Sequence, residues 1–205
     1  MTTTITLLRH GRTPWHEGNR YTGSSDIGID EVGRAQAETL AAWAKDEPPD
    51  ALYASDLLRS QQTAAAVAAV TGLAVHTDPR LRELDFGHAE GRTLAELRAT
   101  DPDAAAAFVR DPVTHHLPGG EHPEAAADRA EQALREIAAR HPDQQVLVVC
   151  HNTLMRLVVC RLTGIPLRSY RTVLRGLDPT ATTQLSFDAA SGVVTLDHYN
   201  QAPRR

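Results

Sequence analysis

The chain has 205 residues, 41% hydrophobic and 23% charged, enough for one domain with a full core. Its formal net charge of −5 excludes the global basic field that draws nucleic acid or an anionic membrane surface. The basic charge is almost all arginine, with Lys45 the only lysine, and a guanidinium fork suits phosphate or carboxylate, although compositional bias explains most of these arginines as well.

Residues 3–8 end in an apolar run, Ile5 to Leu8, and read as a buried parallel strand. Asp30 caps a helix to about Lys45, with Val32, Leu40 and Trp43 on one face. A short strand at 51–53 follows. Ser55 or Asp56 then caps a helix over about 57–70, which Gly72 stops. Residues 73–76 read as another short strand, and 80–92 as a loop. Residues 93–117 read as small helical pieces broken by Pro102 and Pro112, an inserted cap spanning about 92–122. Pro123 opens a helix to about 140, with Ala126, Ala130, Leu134 and Ile137 on one face. QQVLVVC, 144–150, is the strongest buried strand, and a helix follows over 153–163. Thr182–Phe187 and Val193–His198 alternate around Ser191-Gly192 as a terminal hairpin. Disorder is expected only in the last few residues. Strands alternating with helices predict an α/β fold: a three-layer sandwich with a mostly parallel sheet, forming one domain over 1–205.

Cys150 and Cys160 are the only cysteines and form no CxxC pair, so neither a disulfide framework nor a thiolate zinc site is expected. The start of the chain lacks a basic n-region, and no apolar run approaches the ~18–20 residues of a membrane span. A cytoplasmic protein with no nucleic-acid or membrane partner is expected.

Ligands in open α/β folds bind outside the C-terminal ends of the strands. His10 follows the first strand directly, and His151 follows QQVLVVC. Arg9 precedes one histidine, Arg59 lies near the start of the second helix, and the loop with Glu83 can reach the same edge. Such a set can move a phosphoryl group. Arginine forks neutralise its oxygens, a neutral imidazole attacks phosphorus, a protonated one stabilises charge, and a glutamate with a raised pKa protonates the leaving alkoxide. Nothing in it requires a metal or a cofactor. Taken singly, each residue has a bland reading: a satisfied loop pair, a solvated helix arginine, a surface carboxylate. Their joint placement at strand ends favours chemistry.

The chain resembles the histidine phosphatase superfamily, the phosphoglycerate mutase-like proteins, over nearly its whole length. The resemblance rests on Leu7-Leu8-Arg9-His10-Gly11 and on Asn19-Arg20-Tyr21-Thr22-Gly23. Further blocks are Ser55-Asp56-Leu57-x-Arg59, Arg82-Glu83-Leu84-Asp85-Phe86-Gly87, Pro118-Gly119-Gly120-Glu121 and Val148-Val149-Cys150-His151-Asn152, in the family's order. It implies that His10 is the phosphorylated nucleophile, and that Arg9, Arg59 and His151 form a phosphate pocket. It also implies that Glu83 is the general acid and then the base for water, and that His16, Thr22, Gly23 and Asn152 bind substrate. Acid phosphatases of the superfamily carry His-Asp at the second histidine; here the pair is His151-Asn152, which favours Glu83 as the acid.

The chain departs from the family at His16, where asparagine is usual, and at His88-Ala89, His115-His116 and His122. A titrating His16 is expected to shape activity near pH 6–7. Substrate-facing or exposed histidines are preferred to a metal site built from His16, His88, His115 and His116, because no spacing demands one. The function implied is a metal-independent phosphomonoester hydrolase acting on a small phosphorylated substrate. The alternatives are a cofactor-dependent phosphoglycerate mutase and a non-catalytic binding module. Between Glu83 and His151 the chain offers mainly the scattered Arg92, Arg98, Arg110 and Arg129, with no adjacent Arg-Arg pair and no lysine for a second anionic group, which favours the phosphatase. The oligomeric state is open, a homodimer being one option.

Overall fold

A computed structural model describes residues 1–203. The end of the chain, where disorder is expected, lies outside the described residues. Six strands form one sheet: β1 (Thr2–Arg9), β2 (Ala51–Ala54), β3 (Val75–Thr77), β4 (Gln145–Cys150), β5 (Thr182–Asp188) and β6 (Val194–Gln201), in the order β3-β2-β4-β1-β5-β6. The pairs β3–β2, β2–β4 and β4–β1 are parallel, whereas β1–β5 and β5–β6 are antiparallel. The mostly parallel sheet thus carries an antiparallel hairpin on one side. Seven helices accompany it: α1 (Glu31–Asp46), α2 (Leu58–Thr71), α3 (Leu94–Thr100), α4 (Pro102–Arg110), α5 (Pro123–Arg140), α6 (Asn152–Thr163) and α7 (Tyr170–Val173).

The three layers follow from the residues of β4 and β1. In β4, Val146, Val148 and Cys150 join one core, while Leu147 and Val149 join the other. In β1, Ile5 and Leu7 pack on the first side and Leu8 on the second. A central strand buried on both faces has no polar alternate positions, which is why the sequence reads as a continuous apolar run. The first core includes Ala126, Ala130, Leu134 and Ile137 of α5, the stripe expected from its period. The second includes Leu40 and Ala44 of α1 with Ala64 and Val67 of α2. Each fully buried aliphatic side chain contributes about 1.5–3 kcal/mol relative to exposure.

Asp30 caps α1 as expected, its carboxylate accepting from the Gly33 N–H at 2.8 Å. The cap of α2 differs. Leu57 occupies that position without a side-chain cap, because the Ser55 hydroxyl is turned to His151 and the Asp56 carboxylate to Arg82. Gly72 ends α2 at φ 76°, a left-handed conformation that favours glycine. The strand expected at 73–76 starts later, at Val75. The 80–92 loop contains a short 3-10 turn at Gly87–Ala89, preceded by another at Pro79–Leu81. The segment 93–117 holds two short helices, α3 and α4, separated where Pro102 opens α4, while 111–117 are turn and loop rather than a further helical piece. Among the described residues, no helix is long and apolar enough to cross a membrane.

The sheet places the chemistry. Arg9 lies in register with Cys150 across the parallel β1–β4 pair, and the His10 N–H donates to the Cys150 carbonyl at 3.0 Å. The residues that follow these two strand ends, His10 and His151, are therefore neighbours.

Candidate active site

A cleft of about 360 Å³ opens at this edge, lined among others by Arg9, His10, His16, Thr22, Glu83 and Asn152. His10 is buried, and its Nδ1 lies 2.8 Å from the Gly11 carbonyl. A carbonyl can only accept, so Nδ1 carries the proton and Nε2 keeps a free lone pair. Burial, then the charges of Arg59 and Arg9, hold the ring well below its ordinary pKa, so it is neutral. Gly11 supports this placement through its size. A Cβ there would sit 2.7 Å from the Gly33 carbonyl oxygen, so only glycine lets the two backbone segments approach. Its N–H donates to Thr63 Oγ1 at 3.0 Å, tying the turn after β1 to α2.

Arg9 donates from Nη1 to the Leu177 carbonyl, and its Nη2 lies 2.6 Å from His16 Nε2. Its Nε is buried with no partner among the described residues. Burial lowers the Arg9 pKa to about 10, and Glu83 opposes that shift, so the charge persists at neutral pH. A guanidinium only donates, so His16 faces it with Nε2, while its Nδ1 lies 3.1 Å from the donating Thr13 N–H and 2.9 Å from Thr13 Oγ1. Burial and then Arg9 lower His16 to about 4. The effect expected near pH 6–7 is thereby moved, because the free site holds His16 neutral throughout that range. His16→Asn is expected to remove an acid limb near pH 4 from kcat/KM and to leave pH 6–7 unchanged. The sign for stability follows: between about 4 and 6.5 the unfolded chain binds the proton that folded His16 refuses, so stability falls as pH falls through that window. Chemical denaturation at pH 5 and 7 should show a smaller difference in His16→Asn.

Glu83 is buried in the loop before α3. Its Oε1 accepts from the N–H groups of Leu84 and Leu154, each at 2.8 Å, and Oε2 from Thr153 N–H at 2.9 Å. Two of these donors belong to the first turn of α6, where the helix end favours an anion. Burial outweighs them, and the Glu83 pKa is raised. Arg129 holds the same loop by donating to the carbonyls of Arg80, Arg82 and Glu83.

Arg59 and His151 are fully buried and stand behind His10 rather than on the cleft wall. The His10 and His151 ring centroids are 5.1 Å apart. Arg59 donates from Nη1 to the Ser25 carbonyl and from Nη2 to the Gly23 carbonyl, both at 2.8 Å, and from Nε to His151 Nδ1 at 3.3 Å. His151 thus accepts at Nδ1 and carries its proton on Nε2, which lies 2.6 Å from Ser55 Oγ. Burial, then Arg59 and His10, keep it neutral. Protonation, the condition under which the second histidine is read as stabilising charge, is therefore not met in the free site. Asn152 lines the cleft, its Oδ1 accepting from Leu177 N–H at 3.0 Å. Thr22 lines it too. Gly23 does not: its N–H donates to Glu90 at 2.9 Å and its carbonyl holds Arg59.

The cleft also has residues that the sequence reading missed: Trp15, Tyr21, Phe86, Arg156, Tyr170 and Arg171. Arg156 was discoverable, since it lies four residues after Asn152, on the same face of α6. Among the described residues, no three His, Cys, Asp or Glu side chains converge to hold a metal ion. His116 and His122 pair edge-on instead, with centroids 5.1 Å apart, and His88 packs near Gly119.

The family model of the histidine phosphatase superfamily (branch 1) matches residues 5–200. The chain is 32% identical to phosphoserine phosphatase 1 of Hydrogenobacter thermophilus over 81% of its own length and 79% of that protein's. It is 33% identical to a probable phosphoglycerate mutase of Erwinia tasmaniensis over 82% and 78%. Among solved structures, a mycobacterial glucosyl-3-phosphoglycerate phosphatase superposes with a TM-score of 0.90 at 31% identity, covering 98% of this chain and 100% of that one. The matches over nearly the whole chain show that it belongs to the histidine phosphatase superfamily, branch 1.

Proposed function

We infer that this phosphomonoester hydrolase works through a phosphohistidine on His10. The observation that carries this reading is the Nδ1 contact with the Gly11 carbonyl at 2.8 Å, which leaves a neutral, cleft-lining imidazole with a free Nε2. Nε2 attacks phosphorus while Arg9, with its unpartnered Nε, draws the phosphoryl oxygens. The bond from phosphorus to the ester oxygen breaks, and Glu83, whose pKa burial raises, gives its proton to the leaving alkoxide from its acid form. The Glu83 carboxylate then takes a proton from water as that water attacks the phosphohistidine. Phosphate leaves, and both residues return to their starting forms. Arg59 and His151 act from behind: they fix each other, and Arg59 carries positive charge to the back of His10. His16 orients Arg9, and Thr22 and Asn152 bound the substrate. Residues 1–205 are read as one domain in which 92–122 cap the cleft. Leu94 on its wall, and Phe108 under the Arg171 guanidinium at 4.4 Å, support that reading.

The mutase relative keeps a second reading in view. Two of the arginines between Glu83 and His151 are engaged elsewhere, which disfavours a second anion site there: Arg129 is bound to Glu121 and loop carbonyls, and Arg92 to Thr100. Release of inorganic phosphate from p-nitrophenyl phosphate is expected to exceed isomerisation of 3-phosphoglycerate. Faster isomerisation would replace the hydrolase reading with the mutase one.

A further inference from the structure

The cleft that holds His10 and Glu83 is also lined by Arg156 and Arg171, neither of which the phosphoryl chemistry uses. Arg156 is buried in α6. Its Nε donates to the Leu174 carbonyl at 2.9 Å, and its guanidinium lies 4.8 Å from the Tyr170 ring centroid. Arg171, in α7, donates from Nε to Tyr170 Oη at 2.9 Å and lies 4.4 Å over the Phe108 ring. Aromatic faces and neutral acceptors thus fix both forks. Among the described residues, no carboxylate forms an ion pair with either. Arg20, on the same wall, is by contrast paired with Glu96 at 3.1 Å. Two partly desolvated like charges without an anion are costly to hold in a cleft unless something anionic enters it.

We propose that Arg156 and Arg171 form a carboxylate subsite, so that the substrate is a small phosphomonoester carrying a carboxylate on the chain that bears the phosphate. This rests on the phosphatase reading and adds the substrate class to it. Beyond Nε, Arg156 makes one long contact from Nη2 to the Tyr170 carbonyl, and Arg171 one from Nη1 to the Phe108 carbonyl, each at 3.5 Å. That leaves Nη1 of Arg156 and Nη2 of Arg171 without an acceptor among the described residues. Each of these nitrogens carries two N–H groups, and a planar carboxylate is the anion a guanidinium fork meets with two parallel hydrogen bonds. A second phosphate is the competing occupant that the test below separates.

The test compares 3-phosphoglycerate with glycerol 3-phosphate, which differ in a carboxylate against a hydroxymethyl group. Wild-type protein is expected to prefer 3-phosphoglycerate at least tenfold in kcat/KM. Arg171→Gln is expected to cut that ratio at least tenfold, mainly through KM, and Arg171→Lys to recover part of it. Calorimetric binding of the two esters should show the same preference. A ratio near one in wild type, or an unchanged ratio in Arg171→Gln, overturns the subsite and leaves the phosphatase reading intact where glycerol 3-phosphate is hydrolysed. Equal Kd values overturn it even if neither ester turns over, and hydrolysis of p-nitrophenyl phosphate tests the phosphatase reading separately. Tighter binding of propane-1,3-diol bisphosphate than of 3-phosphoglycerate would assign the two arginines to a second phosphate instead.

Discussion

His10→Ala is expected to lower kcat for p-nitrophenyl phosphate by about 10³-fold or more. The variant keeps the cleft, Arg9 and Glu83, and loses the one neutral imidazole whose Nε2 is free to attack. Arg59 and His151 cannot replace it, because Arg59 is spent on carbonyls and His151 is clamped between Arg59 and Ser55. The fold should survive, since the change removes one hydrogen bond worth about 1 kcal/mol. A loss of less than tenfold in steady-state rate, with circular dichroism unchanged, would mean that the phosphoryl group does not pass through His10.

Glu83→Gln should divide substrates by their leaving group. The amide cannot give a proton to an alkoxide, so phosphorylation by alkyl phosphates is expected to slow about 10²–10⁴-fold. p-Nitrophenolate leaves without protonation, so its first turnover should be nearly as fast as in wild type. The next step needs a base for water, which the amide also lacks. p-Nitrophenyl phosphate should then give a burst of one nitrophenolate per site, followed by a slow phase. Equal losses for good and poor leaving groups in single turnover would remove Glu83 from the acid role. Its raised pKa makes this more than a matter of motif. A carboxyl receiving three N–H bonds would ordinarily be a strong acid, and burial reverses that.

Much of the fold was legible because its central strands carry their environment in their composition. β4 is apolar on both faces, and β1 becomes so at its Leu7-Leu8 end, as a strand covered on both sides can be. The Asp30 cap and the hairpin turn at Gly192, φ 71°, are local chemistry and were readable for that reason. Ser55 misled because its hydroxyl had two uses, a helix cap and His151, and only the packed structure chooses between them. α7 was missed because four residues are too short to show a period. The site divides in the same way. Which residues gather at the strand ends follows from strand order, so Arg9, His10, Glu83 and Asn152 were placed correctly. Where their donors point depends on distant carbonyls, so the retreat of Arg59 and His151 behind His10 was not readable. Neither was the low pKa of His16, which comes first from burial and then from the Arg9 guanidinium at 2.6 Å. Arg171 reaches the cleft from α7, the element whose sequence carries no signal.

The central claim is a covalent bond between phosphorus and His10 Nε2. Rapid quenching with ³²P-labelled substrate at neutral to alkaline pH, followed by peptide mass spectrometry, reads it directly. An acid quench would destroy the acid-labile phosphoramidate. A label on the peptide containing His10, stable to base, lost in acid, and increased in Glu83→Gln where dephosphorylation is slow, is the predicted result. Single-turnover hydrolysis with no label at any time, or a label on a different side chain, would contradict it.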